Sequence, residues 1–251
     1  MNALIDASVL QHQLDQGCGY YADLSFQADE LQVMRSHVTT CWLNTIQQYV
    51  PSNNIDIFLE NGIERYHELS HLLDHGAVWS KAARILPQQS VDFIRTTSLI
   101  KKLEDIYGSF IISNEENISC EEIYWRLVRP GAKNDIGPLH ADAWYWQLGH
   151  GVIPPNMKRI KVWVALFCEP NLNGLRVVPY SQKREWKYHS EHRDGFSKPQ
   201  IDEDESQLDI RLVPTKPGDT IVFHDNLLHG GALNNGQHTR VSLEFTIFVH
   251  L

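Results

Sequence analysis

What the 251-residue sequence lacks is informative first. It has no long hydrophobic run: its longest uncharged apolar stretch, 162–168, is far too short to cross the roughly 30 Å core of a bilayer. Cysteine is scarce, and Cys18, Cys41, Cys120 and Cys168 show no paired short spacing. That excludes a disulfide framework and a cysteine zinc site, and leaves buried free thiols in a reducing cytoplasm as the expectation. There is no basic tail, and the net charge is −9, so nucleic acid is not expected as a partner. Two short cationic stretches, 157–163 and 182–193, read as solvated faces or loops. The opening MNALIDASVLQHQLDQG has no basic leader followed by an apolar run, so no secretory signal is expected. Repeats, low-complexity tracts and Pro/Ser-rich linkers are missing as well. A single domain over 1–251 is the simplest organisation.

What is present divides near residue 110. Before it, 28–50 and 90–108 carry apolar residues at helical spacing, the first stopping before Pro51. In the second, Ser90 is the expected cap and Gly108 falls past the end. After residue 110 the chain turns to β-branched and aromatic segments at 121–131, 159–167, 175–179, 219–225 and 240–249, with turn signals at Pro217-Gly218-Asp219 and Asn234-Asn235-Gly236. The last segment alternates, with Val241, Leu243, Phe245 and Ile247 on one face and Arg240, Ser242, Glu244 and Thr246 on the other. An apolar face toward helices and a polar face inward predict a mainly β fold, a double-stranded β-helix (a jelly-roll, cupin-like barrel) braced by N-terminal helices. The polar stretch 185–209 is expected to be a long loop beside the barrel mouth, a candidate lid.

The chemistry concentrates in two strings. GPLHADAWYWQLG (137–149) holds His140 and Asp142 two apart, which on extended backbone point the same way. HDNLLHGG (224–231) supplies a third ligand, His229, followed by two glycines that let the backbone come close to a site. Two imidazoles and one carboxylate occupy one face of a six-coordinate metal and leave adjacent positions open, the arrangement of non-haem Fe(II) oxygen chemistry. His224 competes as the distal ligand, but it follows a strand directly and lacks the glycine pair. Ten or so residues on, Arg240 offers a planar two-pronged donor for a carboxylate, with the Ser242 hydroxyl on the same strand face. That is what the far carboxylate of 2-oxoglutarate needs when its other end chelates a metal. Arg126 and Trp163, on neighbouring candidate strands, are expected to face the same co-substrate.

With these residues assembled, the sequence resembles the phytanoyl-CoA dioxygenase-like family of Fe(II)/2-oxoglutarate-dependent oxygenases. The likeness rests on LHADAWYW, on VWVALFCEPNLNGLRVVPYSQKR (162–184), on PGDTIVFHDNLLHGGALNNGQHTRVSLEF (217–245), and on DQGCGYYADLSFQADELQVMR (15–35) near the start. It implies iron on His140, Asp142 and His229, the far carboxylate of 2-oxoglutarate on Arg240 and Ser242, O2 as oxidant, succinate and CO2 as products, and hydroxylation of a small-molecule substrate. Because the carboxylate ligand Asp142 is present, it implies hydroxylation over halogenation. The family's common Pro-Gly-Ser-His reads Pro179-Tyr180-Ser181-Gln182 here.

Two rival readings stay open at this stage. HELSH (67–71) satisfies the pattern of a helical zinc site, with His67, Glu68 and His71 as zinc-hydrolase residues and His75 one turn on. Its blander reading is a polar helix face in a chain with thirteen histidines, and Arg65 stands where such sites keep an uncharged residue. The other rival is a non-catalytic jelly-roll binding module, which has no use for a cation at Arg240 inside the barrel. Trp144, Tyr145 and Trp146 read equally as core packing or substrate wall.

Overall fold

The structure is a computed structural model that describes residues 7–116, 118–193 and 196–251. Helices dominate the first part: α1 (Ala7–Asp15), α2 (Ala28–Ile46), α3 (Ile55–Asn61), the single turns α4 (Tyr66–Leu69) and α5 (His75–Val78), α6 (Gln88–Arg95) and α7 (Ser98–Tyr107), interrupted by strand β1 (Tyr20–Ser25). There follow β2 (Ile111–Ile112), β3 (Tyr124–Val128), α8 (Asp142–Gln147), β4 (Met157–Phe167), β5 (Leu175–Val177), β6 (Tyr188–Arg193), β7 (Phe196–Ile201), β8 (Arg211–Leu212), β9 (Asp219–His224), β10 (His229–Gly231) and β11 (Arg240–His250).

In α2 the buried residues Leu31, Met34, Val38, Trp42 and Ile46 recur every three to four positions, so one stripe meets the core. Its first turn is closed by Glu30, which accepts from the Gln27 amide and from both the amide and hydroxyl of Ser98, tying α2 to α7. The helix expected over 90–108 is in fact two. Thr96 and Thr97 turn their hydroxyls back onto the carbonyls of Phe93 and Ile94, at 2.7 and 2.6 Å, and this local bonding competes with the helical ladder. Ser90 is therefore an interior residue of α6, buried against the His37 ring, and not a cap. Gly108 does end α7, at φ 73°.

The strands form two facing antiparallel sheets. The larger runs β1-β9-β4-β11-β2, with β3 also paired to β11, and the smaller runs β10-β5-β8. The ladders do not close into a continuous ring. The period-two reading of β11 holds. Val241, Leu243, Phe245 and Ile247 join Val162 and Val164 of β4 and the buried stripes of the helices in the main core. A second cluster, Trp163, Ala165, Ile221 and Phe223 with Leu175, Val177 and Leu227, fills the space between the sheets. This is the helix-braced double-stranded β-helix that the patterning predicts.

Two expectations need correction. The segment 185–209 contains a β-hairpin, β6 paired with β7 from Tyr188↔Ile201 to Arg193↔Phe196, in place of a structureless loop. It rests on α8: Tyr188 stacks on Trp144 at 4.6 Å and 9°, its hydroxyl donates to Gln147, and the His150 ring donates to the Ser197 carbonyl. The second concerns 157–163, which is not a solvated face: the Arg159 and Lys161 side chains are 8% and 12% exposed. They alternate inward along β4 and are paired, Arg159 with Asp225 and Lys161 with Asp142. The four cysteines are unpaired and half-buried, less enclosed than expected. No helix among the described residues is long and apolar enough to cross a membrane.

Candidate active site

Backbone pairing brings the first two histidines together. His140 and His229 exchange both amide–carbonyl hydrogen bonds, 3.0 and 2.9 Å, so His140 adds one bridge to the edge of β10. The glycines after His229 work by giving space on a strand and not by turning: a Cβ at Gly230 would lie 3.2 Å from the Pro138 carbonyl. Ala141 is extended, as the two-residue spacing requires, and Asp142 is the first residue of α8.

The electronic arrangement follows from the hydrogen bonds. His140 Nδ1 lies 3.0 Å from the Pro138 carbonyl and His229 Nδ1 lies 2.9 Å from the Leu227 carbonyl. A carbonyl only accepts, so each Nδ1 carries the proton and each Nε2 keeps its lone pair free. The two Nε2 atoms face Asp142, at 3.9 Å to Oδ1 and 3.4 Å to Oδ2. Asp142 Oδ2 is buried without any hydrogen-bond partner. One ligand atom from each of the three residues falls within 4.8 Å of the others, and they are the only such group among the described residues. Burial, helped by the neighbouring His229, pushes His140 down to about 4. Burial pushes the Asp142 carboxyl up, but Lys161, His229 and His140 outweigh it and bring it to about 2. Both groups thus stay in their metal-ligating forms at neutral pH. An ion with two nitrogen donors and one oxygen donor fits the set.

The inner face of β11 carries a second candidate group, Arg240 and Ser242. Arg240 is 2% exposed, and its Nη1 donates to the Gly174 carbonyl at 2.6 Å, while its Nε has no partner. Burial and the nearby Arg126 push its guanidinium down to about 10. The hydroxyl of Ser242, on the same strand face, is also buried and unpartnered. Trp163 lies beside this group, its ring 5.8 Å from the guanidinium of Arg240. Two orphaned donors under a buried cation match a carboxylate.

Beyond Ser242 the inner faces carry further charge, of which the sequence reading missed Lys161. Arg126 sits opposite Ser242 across the β3–β11 ladder and donates its Nε to Glu244. Its side chain keeps 47% of its accessible surface, so solvent reaches it. Lys161 donates to Thr246 at 2.9 Å and stands 3.7 Å from Asp142 Oδ2. Burial would push its ammonium down, but Asp142, Glu115 and Glu244 hold it up. The alternation on β11 already put Glu244 and Thr246 inward; Lys161 was hidden because a charged strand reads as a wet one. Of the aromatic triplet, Tyr145 meets the His140 ring edge-on at 5.3 Å, Trp144 packs the hairpin, and Trp146 packs Phe248.

The decoys fall elsewhere. HELSH is split between α4 and a 3-10 turn at Ser70–Leu72, Glu68 is held by Arg65, and His71 is exposed. His75 instead bonds the Tyr66 hydroxyl, 3.0 Å, and faces Asp135. His224 accepts from the Asn226 amide at 3.0 Å, on the opposite side of β9 from the site. At the departure from the family pattern, Tyr180 takes the left-handed conformation at φ 67° that glycine adopts freely, while Ser181 accepts from the Leu228 amide and Gln182 donates to the Leu14 and Gly17 carbonyls.

The family model of phytanoyl-CoA dioxygenase (PhyH) matches residues 32–242, which include all three candidate ligands and both Arg240 and Ser242. The chain belongs to this family. It is therefore placed among the non-haem iron, 2-oxoglutarate-dependent oxygenases. Solved structures of this fold lie nearby. SnoK, a non-heme alpha ketoglutarate dependent carbocyclase from nogalamycin biosynthesis, aligns at TM-score 0.57 and 12% identity over 98% of this chain and 84% of its own. AviO1 from Streptomyces viridochromogenes Tue57 aligns at 0.55 and 13%, over 98% and 96%. EctD from S. alaskensis, solved with 2-oxoglutarate and 5-hydroxyectoine, aligns at 0.52 and 17%, over 99% and 77%. At these identities the likeness speaks for the fold. No curated protein matches the chain in sequence.

Proposed function

We propose that the protein is an Fe(II)- and 2-oxoglutarate-dependent dioxygenase that hydroxylates a C–H bond of a small molecule in the cytoplasm, with release of succinate and CO2. The observation that carries this reading is the buried Asp142 carboxylate, its Oδ2 without a hydrogen-bond partner among the described residues, facing two imidazole nitrogens whose lone pairs are free. In this reading His140, Asp142 and His229 hold the iron. Bound iron supplies activation of O2 coupled to oxidation of the co-substrate.

The remaining roles belong to the chain. Arg240 and Ser242 grip the far carboxylate of 2-oxoglutarate, and the charge of Arg240 gains the partner it otherwise lacks. Trp163 walls that slot, and Arg126 stands across the β3–β11 ladder from Ser242. Lys161 stands beside Asp142 Oδ2 and helps to orient the carboxylate before any ion arrives. The hairpin β6–β7, clamped on α8, excludes water from one side. A non-catalytic jelly roll would gain nothing from a cation at the position of Arg240.

An anaerobic titration tests the reading. Iron with 2-oxoglutarate is expected to give a weak visible charge-transfer band, and calorimetry a stoichiometric binding isotherm. A protein that shows neither is not this enzyme.

A further inference from the structure

The inner space next to the metal ligands is lined by an ion pair with capacity to spare. Arg126 commits only Nε to Glu244, so its two terminal nitrogens, with four N–H donors, have no hydrogen-bond partner among the described residues. Glu244 accepts only at Oε1, and its Oε2 has no partner either. Arg126 is 47% exposed and Glu244 24%, although both lie on the inward face of the major sheet, so solvent reaches both partners of the pair. This space reaches the chemistry: Tyr145, which meets the His140 ring, and Lys161, which meets Asp142, share the field of the same two residues.

The charges decide what fits. An apolar chain drawn into this space strips water from both partners and offers neither a hydrogen bond. A singly charged molecule satisfies one partner and leaves the other facing a like charge. A molecule carrying both signs satisfies both, adding two intermolecular contacts to the internal pair with no change in net charge. We propose that the substrate is a small amino-acid-like zwitterion, its carboxylate on the free nitrogens of Arg126 and its ammonium on Glu244. This rests on the oxygenase reading given above and narrows it, setting aside acyl thioesters as substrates for this chain.

The test uses the iron-loaded protein with 2-oxoglutarate and measures succinate formed above the substrate-free background. The probes are the twenty common L-amino acids, the N-acetyl and methyl-ester forms of those that respond, and a set of acyl thioesters. Stimulation is expected from free amino acids only, with kcat/KM falling at least tenfold when either charge is masked. Glu244→Gln is expected to shrink the preference for the free over the N-acetyl form at least tenfold, and Arg126→Gln the preference for the free over the methyl-ester form. These are ratios within one variant, so partial misfolding cancels from them. Stimulation by acyl thioesters, no response to any amino acid, or unchanged ratios in both variants would overturn the proposal. Calorimetric binding of 2-oxoglutarate, measured alongside, separates the two levels: its absence sinks the oxygenase reading, its presence with no amino-acid response sinks only the zwitterion.

Discussion

The two faces of β11 are eleven residues of the same strand put to opposite uses. Outward, Val241, Leu243, Phe245 and Ile247 are each at most 1% exposed and pack on helices. Inward, Arg240, Ser242, Glu244 and Thr246 carry charge and hydroxyls into a space that holds the candidate metal and co-substrate positions. The outer face should hold stability and the inner face should hold function, so substitutions on either side of one strand ought to separate the two.

The largest effect is expected at the ligands themselves. His229→Ala or Asp142→Ala removes one of three iron donors and should lower turnover by on the order of a thousandfold or more, with bound iron falling from stoichiometric to trace by metal analysis. Retention of iron in both variants would break the site assignment. On the outer face, Phe245→Ala should cost about 3–5 kcal/mol in denaturant unfolding, because its ring is fully enclosed. On the inner face, Arg240→Met should leave the metal-free protein as stable as before or more so, since a buried cation with one carbonyl partner is replaced by apolar volume. The same change should weaken 2-oxoglutarate binding by roughly a hundredfold, as loss of a charge-assisted bidentate contact does. Equal effects of both substitutions on stability would erase the contrast between the faces.

Acid should attack the inner face as well as the helical side, where burial also holds His75 low. The unfolded chain protonates histidine near 6.5, whereas folded His140 is held to about 4. Between those values the unfolded state binds more protons, so the metal-free protein should lose stability as pH falls from 6.5 toward 4. Asp142 adds a loss of the same sign as pH falls from 3.8 toward 2. Denaturant midpoints of the metal-free protein measured at pH 7, 5 and 4 check this, and His140→Asn should shrink the upper phase. A smaller effect belongs to Tyr180, held at φ 67°: Tyr180→Gly should stabilise by about 1 kcal/mol, read as a raised melting temperature. The smallest concerns the helical side, where Glu68→Gln should leave iron content and turnover unchanged, against the expectation of a zinc site at HELSH.

Legibility in the sequence followed the same division. The outer face of β11 and the stripe of α2 were readable because burial on one side imposes a period, and ligand chemistry, which fixes residue type and order, singled out His140, Asp142 and His229, which the fold brings within 4.8 Å of one another. Lys161 and Arg159 were misread because a charge on a strand carries no mark of whether it meets water or a buried carboxylate. The break at Thr96-Thr97 and the hairpin around Tyr188 escaped for a related reason. One depends on hydroxyls choosing nearby carbonyls, the other on packing against Trp144, and neither leaves a periodic trace. The bulge between Tyr21 and Leu24 likewise hid β1.

The mutual backbone pairing of residues 140 and 229 has a consequence for supply. A cradle stitched by main-chain bonds stands ready in the empty protein, so its shape sorts ions poorly: copper and zinc would seat more firmly than ferrous iron in the same three donors. Correct loading then falls to the cell, through the ions it keeps free when the chain is made. Protein produced in zinc-rich medium should emerge folded, filled and idle, and chelation followed by anaerobic ferrous iron should wake it.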